Sequence, residues 1–483
     1  MKKLLTLIVA AIMAVACCFS LTACGDKKST TRSIDFSMGE QMPNAYYSMF
    51  AETVPADFKI GFIFLHDEKS TYDLNFYQAA QEAVKVMGLK ESQVVYKFNV
   101  AESDDCYKAA KEMVEGGAKA VFADSFGHGE FMLKAAKEFT DVQFYHATGT
   151  GTSVADAPAN LHNAFASIYV GRYLGGVAAG MKLNEMIEAG KFTADQAKVG
   201  YVGAFPYAEV KSGYTSWFLG VRSVCPTATM DVKFTNSWYD EVAEKSAAES
   251  LIAGGCKLIS QHADSMGAPT ACEKAGVPNV SYNGSTIEKC PNTFIVSSKI
   301  DWAPYFKAII ASNSTRYADV TADTFVPQGM NDYMYQYVGG KIKEMVGKDF
   351  TGDMSVTGSV KMSAINADVM AKGTSAKLME EINNISDAGY YDEDLHDYVQ
   401  VPAMYIFDCS KFTVTVSETK NKGAVVDAQG HLTSYLADVV DDGTFTGETE
   451  VIKSADGVTF FSESTFRSAP YFDIDIDGIT IIG

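Results

Sequence analysis

The sequence lacks the cysteine and histidine patterns that hold metals or carry redox chemistry. Its nine cysteines include no Cys-x-x-Cys pair, and none of them has zinc spacing with one of the seven histidines. No His-Glu-x-x-His and no Ser-His-Asp arrangement is present either. These absences argue against a zinc site, a thioredoxin-like centre and the common hydrolase mechanisms, so we expect no metal, no cofactor and no enzymatic activity.

Positive charge is also scarce, because the chain has 40 lysines and arginines but 60 acidic residues, which gives a formal net charge of −20. Phosphate backbones and anionic lipid surfaces would repel such a chain, so nucleic acid is not expected as a partner. Beyond the N-terminal segment, no apolar run reaches the ~18 residues needed to cross a bilayer. The 483 residues, 47% of them hydrophobic, suffice for two or three domains.

The N-terminus carries an export signal. Two lysines precede an apolar run, MKKLLTLIVAAIMAVACCFSLTAC, that ends at Cys24. Its last four residues resemble the bacterial lipobox, in which the signal peptide is cleaved before the cysteine and the thiol is lipidated. We therefore predict a signal peptide over residues 1–23, lipid attachment at Cys24 and a tether to residue 57, which would anchor the protein to the outer face of the cell membrane. An ordinary secretory signal with an incidental cysteine is the alternative.

The remainder of the chain contains six more cysteines, which are Cys106, Cys225, Cys256, Cys272, Cys290 and Cys409. In an exported protein they allow up to three disulfides, but single small hydrophobic residues in a large core are equally compatible with the pattern. The sequence leaves both alternatives open.

Short apolar runs alternate with segments of helical periodicity from residue 58 onward. The first series predicts strands at 58–65, 93–98, 120–123 and 142–146 and helices over 75–87, 105–115 and 130–139. The second predicts strands at 198–203, 231–235, 258–261 and 279–282 and helices over 168–181, 207–221 and 240–253. This alternation indicates an α/β fold of two lobes, each a parallel sheet flanked by helices, joined by a hinge.

The domain boundaries follow from these two series. We assign residues 58–160 and 285–325 to an N-terminal lobe, residues 161–284 and 326–416 to a C-terminal lobe, and residues 417–483 to an acidic extension without an identified role. The extension contains a predicted strand at 458–461. Its tail, DIDIDG at 473–478, begins like an EF-hand loop but ends before the required glutamate, so a half-exposed strand is favoured.

The loops that follow the predicted strands are rich in aromatic, amide and hydroxyl side chains, and parallel α/β sheets bind ligands at these strand ends. A flat heteroaromatic ligand suits this mixture, because rings stack on aromatic faces while amides and carboxylates read ring nitrogens. Trp238 has the setting of a ligand contact. Phe126 and Tyr77 are equally compatible with core packing.

Five segments carry a family resemblance: GGAKAVFADSFGHGEFMLKAAKEFTDVQFYHATG (116–149), IYVGRYLGGVAAGMK (168–182), KVGYVGAFPYAEVKSGYTSWFLGVRSVCPTATMDVKFTNSWYDEVAEKSAAESLIAGG (198–255), QHADS (261–265) and SYNG (281–284). Together they resemble the basic membrane protein family of substrate-binding lipoproteins over about residues 58–380. The resemblance implies a type I periplasmic-binding-protein fold. It also implies a receptor that captures a purine base or nucleoside by lobe closure and delivers it to the permease subunits of an ABC importer.

The resemblance also implies the site residues. Family members stack the base between two aromatic residues, for which Tyr72 or Phe76 and Trp238 are the counterparts here. The motif at 261–265 and the replacement of a ribose-binding carboxylate by Asn283 favour a free base over a nucleoside. The predicted ligand-binding residues are Tyr72, Asp73, Asn75, Phe126, Trp238, His262, Asp264, Asn283 and Lys299.

Some of these assignments have alternatives. Lys299 could pair with Asp264 and orient it, and His262 could be a satisfied neighbour of a buried carboxylate. At the level of the whole protein, a ligand sensor of the same fold is the main alternative, and neighbouring genes for an ATPase and permeases would favour transport. An enzyme acting on nucleosides is disfavoured, because the carboxylates of the strand-end loops are isolated from one another in sequence.

Overall fold

Two mainly parallel sheets organise the structure, a computed structural model that describes residues 36–39, 41–350, 357–440 and 447–483. These residues belong to one unit, Ser33–Gly483. The predicted signal peptide and Cys24 lie outside the described residues. Among the helices that are described, none is long and apolar enough to span a membrane.

The strands are β1 (Phe36–Gly39), β2 (Ile60–Ile63), β3 (Val94–Lys97), β4 (Ala120–Ala123), β5 (Gln143–His146), β6 (Leu161–Ala164), β7 (Lys198–Gly203), β8 (Thr229–Phe234), β9 (Leu258–His262), β10 (Asn279–Tyr282), β11 (Phe294–Ile300), β12 (Asp349–Phe350), β13 (Thr357–Met362), β14 (Gly389–Asp392), β15 (Asp397–Gln400), β16 (Val425–Val426), β17 (Leu432–Ser434), β18 (Leu436–Ala437), β19 (Thr449–Glu450), β20 (Ile452–Ala455), β21 (Val458–Phe461) and β22 (Ile479–Ile481). The α-helices are α1 (Asn44–Ala51), α2 (Thr71–Val86), α3 (Asp104–Glu115), α4 (Gly129–Glu138), α5 (Tyr169–Glu188), α6 (Ala208–Val224), α7 (Glu241–Ala253), α8 (Gly267–Ala275), α9 (Ala303–Ala311), α10 (Thr315–Thr321), α11 (Met330–Met345), α12 (Thr374–Ser386) and α13 (Pro402–Ile406).

The first lobe is built on a parallel sheet with the strand order β12-β6-β5-β4-β2-β3. All four residues of β2 and all four of β4 are buried, as expected of strands covered by helices on both faces. Ser70 caps helix α2, which follows β2, by accepting a hydrogen bond from the Asp73 N–H.

The second lobe is built on the sheet β1-β13-β11-β10-β9-β7-β8-β22. Its strands from β11 to β22 run parallel, while β13 pairs antiparallel with both β11 and β1. The strand order reverses between β2 and β4 in the first lobe and between β7 and β9 in the second. Ligands of open α/β sheets bind at such switch points, beyond the carboxyl ends of the strands. The topology confirms the predicted α/β fold of two lobes.

The lobe boundaries differ from the predicted ones. Residues 161–164, predicted to begin the second lobe, form β6 in the first sheet, and β11 lies in the second sheet although it falls within 285–325. Helix α11 packs against α1, α9 and α10 of the first lobe rather than joining the second. Part of the predicted tether is folded, because α1 buries Tyr47 and Phe50 in the core.

The acidic extension is part of the second lobe. Strand β22 pairs in parallel with β8 at the sheet edge, with Ile479 opposite Met230 and Ile481 opposite Val232. The predicted strand at 458–461 is present as β21. In the tail, Ile474 is buried and Asp473 is exposed, which preserves the predicted alternation, but the residues that form a strand are 479–481.

The six cysteines of the folded part are all free and buried. Burial raises the pKa of Cys256 and Cys409 to about 12. Of the two alternatives, the structure therefore shows the cysteines as small core residues rather than as disulfides.

Candidate ligand-binding site

A cavity lies between the two lobes at the carboxyl ends of their strands. The residues that line it are Leu65, Tyr72, Ser125, Phe126, Thr148, Glu209, Trp238, His262, Asp264 and Tyr282. The first five belong to the first lobe and follow β2, β4 and β5 or begin α2. The other five belong to the second lobe, at the ends of β8, β9 and β10 or in the first turn of α6. The cavity thus occupies the switch points of both sheets, where the topology places a ligand.

Aromatic side chains form opposite parts of the cavity wall. On the second lobe, the Trp238 ring lies 5.1 Å from Phe205 in an edge contact, and the Tyr207 ring centre is 6.1 Å away. On the first lobe, the Tyr72 hydroxyl donates to the Asp124 carbonyl at 2.6 Å and lies 3.3 Å from Thr148 Oγ1. These contacts fix both rings before a ligand arrives, which lowers the entropy cost of stacking.

The two lobes also touch each other directly beside the cavity. The Thr71 N–H and hydroxyl of the first lobe both donate to the Asp264 carbonyl of the second, at 3.0 and 3.2 Å. The rings of Phe126 and Tyr207 stack across the cleft with centres 5.5 Å apart. The structure therefore has the geometry of a closed cleft.

Two buried aspartates lie behind the first-lobe wall. Asp73 accepts hydrogen bonds from the His66 N–H at 2.8 Å and from the Ser70 hydroxyl at 2.6 Å. Burial alone would raise the pKa of Asp73, but the hydrogen bonds from His66 and Ser70 outweigh it and hold this pKa below its usual value. Burial, reinforced by the charge of Asp73, holds the pKa of Asp124 well above its usual range. The surroundings thus favour the ionised form of Asp73 and the neutral form of Asp124.

The second-lobe wall contains Glu209 and His262, with Glu209 Oε1 3.5 Å from His262 Nε2. Burial raises the pKa of Glu209 to about 8, although Arg172 opposes the shift. Burial and then the charge of Arg172 hold the pKa of His262 well below its usual value. Arg172 itself lies behind the wall: its guanidinium covers the Tyr282 ring at 3.3 Å and donates to the Gln261 carbonyl.

Glu244 forms hydrogen bonds with both of the second-lobe loops that contain Trp238 and Asp264. Its carboxyl oxygens accept from the Ser265 N–H and the Asp240 N–H, each at 3.2 Å. Trp238 precedes Asp240, and Asp264 precedes Ser265. Burial, followed by the carboxyl groups of neighbouring acids, raises the pKa of Asp264 well above its usual range. The loops are therefore held by a buried side chain instead of by ligand contacts.

Five of the nine predicted ligand-binding residues line the cavity: Tyr72, Phe126, Trp238, His262 and Asp264. Of the two candidates for the first-lobe ring, Tyr72 reaches the cavity, whereas Phe76 stacks on Trp302 in the core. Phe126 is 37% exposed and is not a core residue. Tyr77 packs in the core against Phe64 and Phe98.

The other four predicted residues are not among those that line the cavity. Asp73 faces Ser70 and His66, as described above. The Asn75 amide donates to the Ile300 carbonyl at 2.5 Å, and the Asn283 N–H donates to the Ser298 carbonyl. Lys299 lies opposite Lys361 in the β11–β13 pair, and within the described ranges it forms no ion pair with Asp264.

Five lining residues were not predicted: Leu65, Ser125, Thr148, Glu209 and Tyr282. Ser125 and Thr148 follow the predicted strands at 120–123 and 142–146, in the loops where a ligand was expected, whereas Leu65 is the last residue of the predicted strand at 58–65. Glu209 and Tyr282 lie just outside those loops, at the start of a helix and the end of a strand. Among the described residues, no group of three or more His, Cys, Asp or Glu side chains could hold a metal ion.

Comparison with known proteins yields both family and structural matches. The model of the family described as "ABC transporter substrate-binding protein PnrA-like" matches residues 61–318. A purine-binding protein of Brucella abortus is 34% identical over 251 residues, which cover 51% of this chain and 66% of that protein. A Haloferax volcanii protein named "Putative ABC transporter glucose-binding protein TsgA13" is 32% identical over 217 residues, covering 45% of this chain and 51% of that protein. The chain thus spans less than two thirds of the length of either relative.

Among solved structures, an ABC transporter solute-binding protein of Aeropyrum pernix K1 superimposes with a TM-score of 0.50 at 14% identity. The superposition covers 70% of this chain and 95% of that chain, and it supports the fold alone. The family match covers more than half of the present sequence. The chain therefore belongs to the PnrA-like family of ABC transporter substrate-binding proteins, which is a family of solute-binding proteins and not of enzymes.

Proposed function

We propose that this family member captures a purine base between its two lobes and presents it to an ABC importer. The observation that carries the proposal is the cavity, which offers aromatic faces from both lobes together with polar groups at its walls. Tyr72 and Trp238 supply the faces, and stacking on a base contributes about 1–3 kcal/mol per ring. The similarity to a purine-binding protein supports the same ligand class.

A free base is favoured over a nucleoside by the residue at position 283. The family resemblance makes Asn283 the counterpart of a carboxylate that grips ribose hydroxyls, and an amide accepts a hydroxyl proton less strongly than a carboxylate does. Asn283 is also not among the residues that line the cavity. The residue expected to hold the sugar is therefore both replaced and outside the cavity wall.

Delivery requires that the protein work outside the cytoplasm, close to its permease. The lipobox-like segment that ends at Cys24 supports a lipid anchor on the outer face of the membrane. The closed cleft supports recognition by permease subunits of the ligand-bound form, since ligand binding shifts the population toward closure.

The test is calorimetric titration of residues 25–483, unfolded and refolded to remove bound ligand, with adenine, guanine, hypoxanthine, their nucleosides and glucose. We expect free bases to bind more tightly than nucleosides. Trp238→Ala should weaken base binding about 5- to 150-fold, corresponding to the loss of one stacking face. Tyr391→Ala, which truncates an exposed aromatic outside the cavity, is the matched control and should bind as wild type does.

Two outcomes would contradict the proposal. Tight binding of glucose with no heat from any base would assign the cavity to sugars. Base binding that is unaffected by Trp238→Ala, in a variant that melts like the wild type, would remove the aromatic wall from the site.

A further inference from the structure

We propose that Glu209 is a ligand-binding residue whose carboxylic acid recognises the ring edge of the bound base, an inference that rests on the proposed function. Its side chain leaves the first turn of α6 and lines the cavity, although it is only 9% exposed. It was not among the residues that the sequence predicted. The resemblance described above also assigned it no role.

Among the described residues, none forms a hydrogen bond with the Glu209 carboxyl group. The contact between Glu209 Oε1 and His262 Nε2, at 3.5 Å, is longer than the 2.7–3.2 Å of ordinary protein hydrogen bonds. A buried carboxyl group without a partner is destabilising, and such groups are rare in folded proteins. Because this one opens onto the cavity, the partner that completes its hydrogen bonding is a ligand.

The protonation state of the Glu209 carboxyl group decides which hydrogen bonds it can form. The titratable and charged side chains that face Glu209 from other elements are Arg172 of α5, Tyr72 of α2, His262 of β9, Asp264 after β9 and Tyr282 of β10. Burial raises the pKa of Glu209 to about 8, and Arg172 offsets this only in part. Near pH 7 the carboxyl group is therefore mainly neutral, with one O–H donor and one carbonyl acceptor side by side.

The donor and acceptor of a neutral Glu209 carboxyl group match those on one edge of an adenine ring. An adenine ring presents an acceptor nitrogen, N7, beside the N–H donors of its 6-amino group. A neutral carboxylic acid donates to the nitrogen and accepts from the amino group, so both hydrogen bonds form at once. An ionised carboxylate only accepts, so it loses one bond and faces the lone pair of the nitrogen.

The experiment compares adenine binding by the wild type, Glu209→Gln and Glu209→Ala between pH 6.5 and 9. The glutamine amide offers a donor and an acceptor at every pH, so Glu209→Gln should bind nearly as the wild type does at pH 6.5. Glu209→Ala should lose about 10- to 100-fold, as expected for a two-bond contact. Wild-type affinity should fall as pH rises through 8, to about one tenth at pH 9, because only the neutral fraction binds.

The ratio of wild-type to Glu209→Gln affinity is the decisive quantity, because titration of adenine and of the other acids affects both proteins alike. A ratio that stays constant from pH 6.5 to 9 would overturn the inference, as would wild-type affinity in Glu209→Ala. If Trp238→Ala still weakens binding in that case, the proposed function stands without a role for Glu209. If the wild type binds no purine at pH 6.5, the proposed function itself fails. Should Glu209→Ala not fold, the wild-type to glutamine ratio still decides.

Discussion

Helices α5 and α6 of the second lobe approach each other so closely that a side chain added between them should destabilise the fold. Helices α5 and α6 pack through glycines, and a Cβ atom added to Gly176 would overlap the carbonyl oxygen of Trp217. A Cβ added to Gly220 would overlap the carbonyl oxygen of Tyr173. Both atoms that would be struck are backbone atoms, so no side chain can rotate away, and Gly176→Ala has to push the helices apart.

The magnitude follows from two opposing terms. Replacing a helical glycine by alanine normally stabilises a helix by roughly 0.5–1 kcal/mol. Forcing extra atoms into a packed interface costs about 1–3 kcal/mol, and more where backbone is struck. Gly340, in α11, is the matched control because an added Cβ there meets nothing within 4 Å. The propensity gain applies to both variants and cancels in the comparison, so we expect Gly176→Ala to be less stable than Gly340→Ala by about 1–3 kcal/mol.

The assay is urea unfolding followed by circular dichroism, with purine affinity measured on the same samples. Gly176→Ala should also weaken binding, because α5 carries Arg172 and α6 carries Glu209, whereas Gly340→Ala should not. The double variant Gly176→Ala, Gly220→Ala should cost less than the sum of the single variants, since the first substitution already separates the helices. Equal urea midpoints for Gly176→Ala and Gly340→Ala would show that α5 and α6 accommodate the added methyl group without cost, contrary to this prediction.

Three further predictions concern groups around the site. Asp73→Asn should lower the melting temperature at pH 7 more than Asp124→Asn does, because the fold lowers the pKa of Asp73 and raises that of Asp124. The stability that Asp73 provides should be lost as pH falls through its lowered pKa, and an equal loss in both variants would contradict this. Phe126→Ala removes the ring that stacks on Tyr207 across the cleft, which should weaken ligand binding about 2- to 10-fold by destabilising the closed form, and unchanged affinity would contradict it. A thiol reagent added to residues 25–483 should find six reactive groups in urea and almost none in the native protein, because all six cysteines are free and buried; fewer than six in non-reducing urea would indicate a disulfide.

Several central strands, such as β4 and β7, were predictable because they are short, mainly apolar and almost fully buried. Runs of this kind are bounded in sequence, and 120–123, 198–203 and 279–282 match β4, β7 and β10 residue for residue. Assigning strands to lobes was less predictable, because it depends on which strand pairs with which. Strand β6, LHNA, carries buried polar side chains, and His162 and Asn163 are satisfied by hydrogen bonds that no local pattern reveals.

The site could be located from sequence to the level of its loops but not to the direction of each side chain. Around the first turn of α2, successive residues rotate by about 100°, so Tyr72 faces the cavity while Asp73 turns back toward Ser70. Glu209 was not predicted because it lies within the predicted helix over 207–221 and not in a strand-end loop. Its signal is an acidic residue in the first turn of a helix that follows a strand end.

The electrostatics of the cavity narrow the ligand class further. Burial raises the pKa of Asp124, Glu209 and Asp264, and it lowers the pKa of His262, so burial disfavours the charged form of all four groups. Arg172, 1% exposed, lies behind the Tyr282 ring and is not among the lining residues. A phosphate would therefore lose its water without gaining a paired cation, which is costly in a buried site. An uncharged ring, by contrast, would find aromatic faces and hydrogen-bonding groups whose charged forms burial disfavours. Under the proposed function, we therefore expect the cavity to bind bases in preference to nucleotides, because no cationic side chain is among its lining residues.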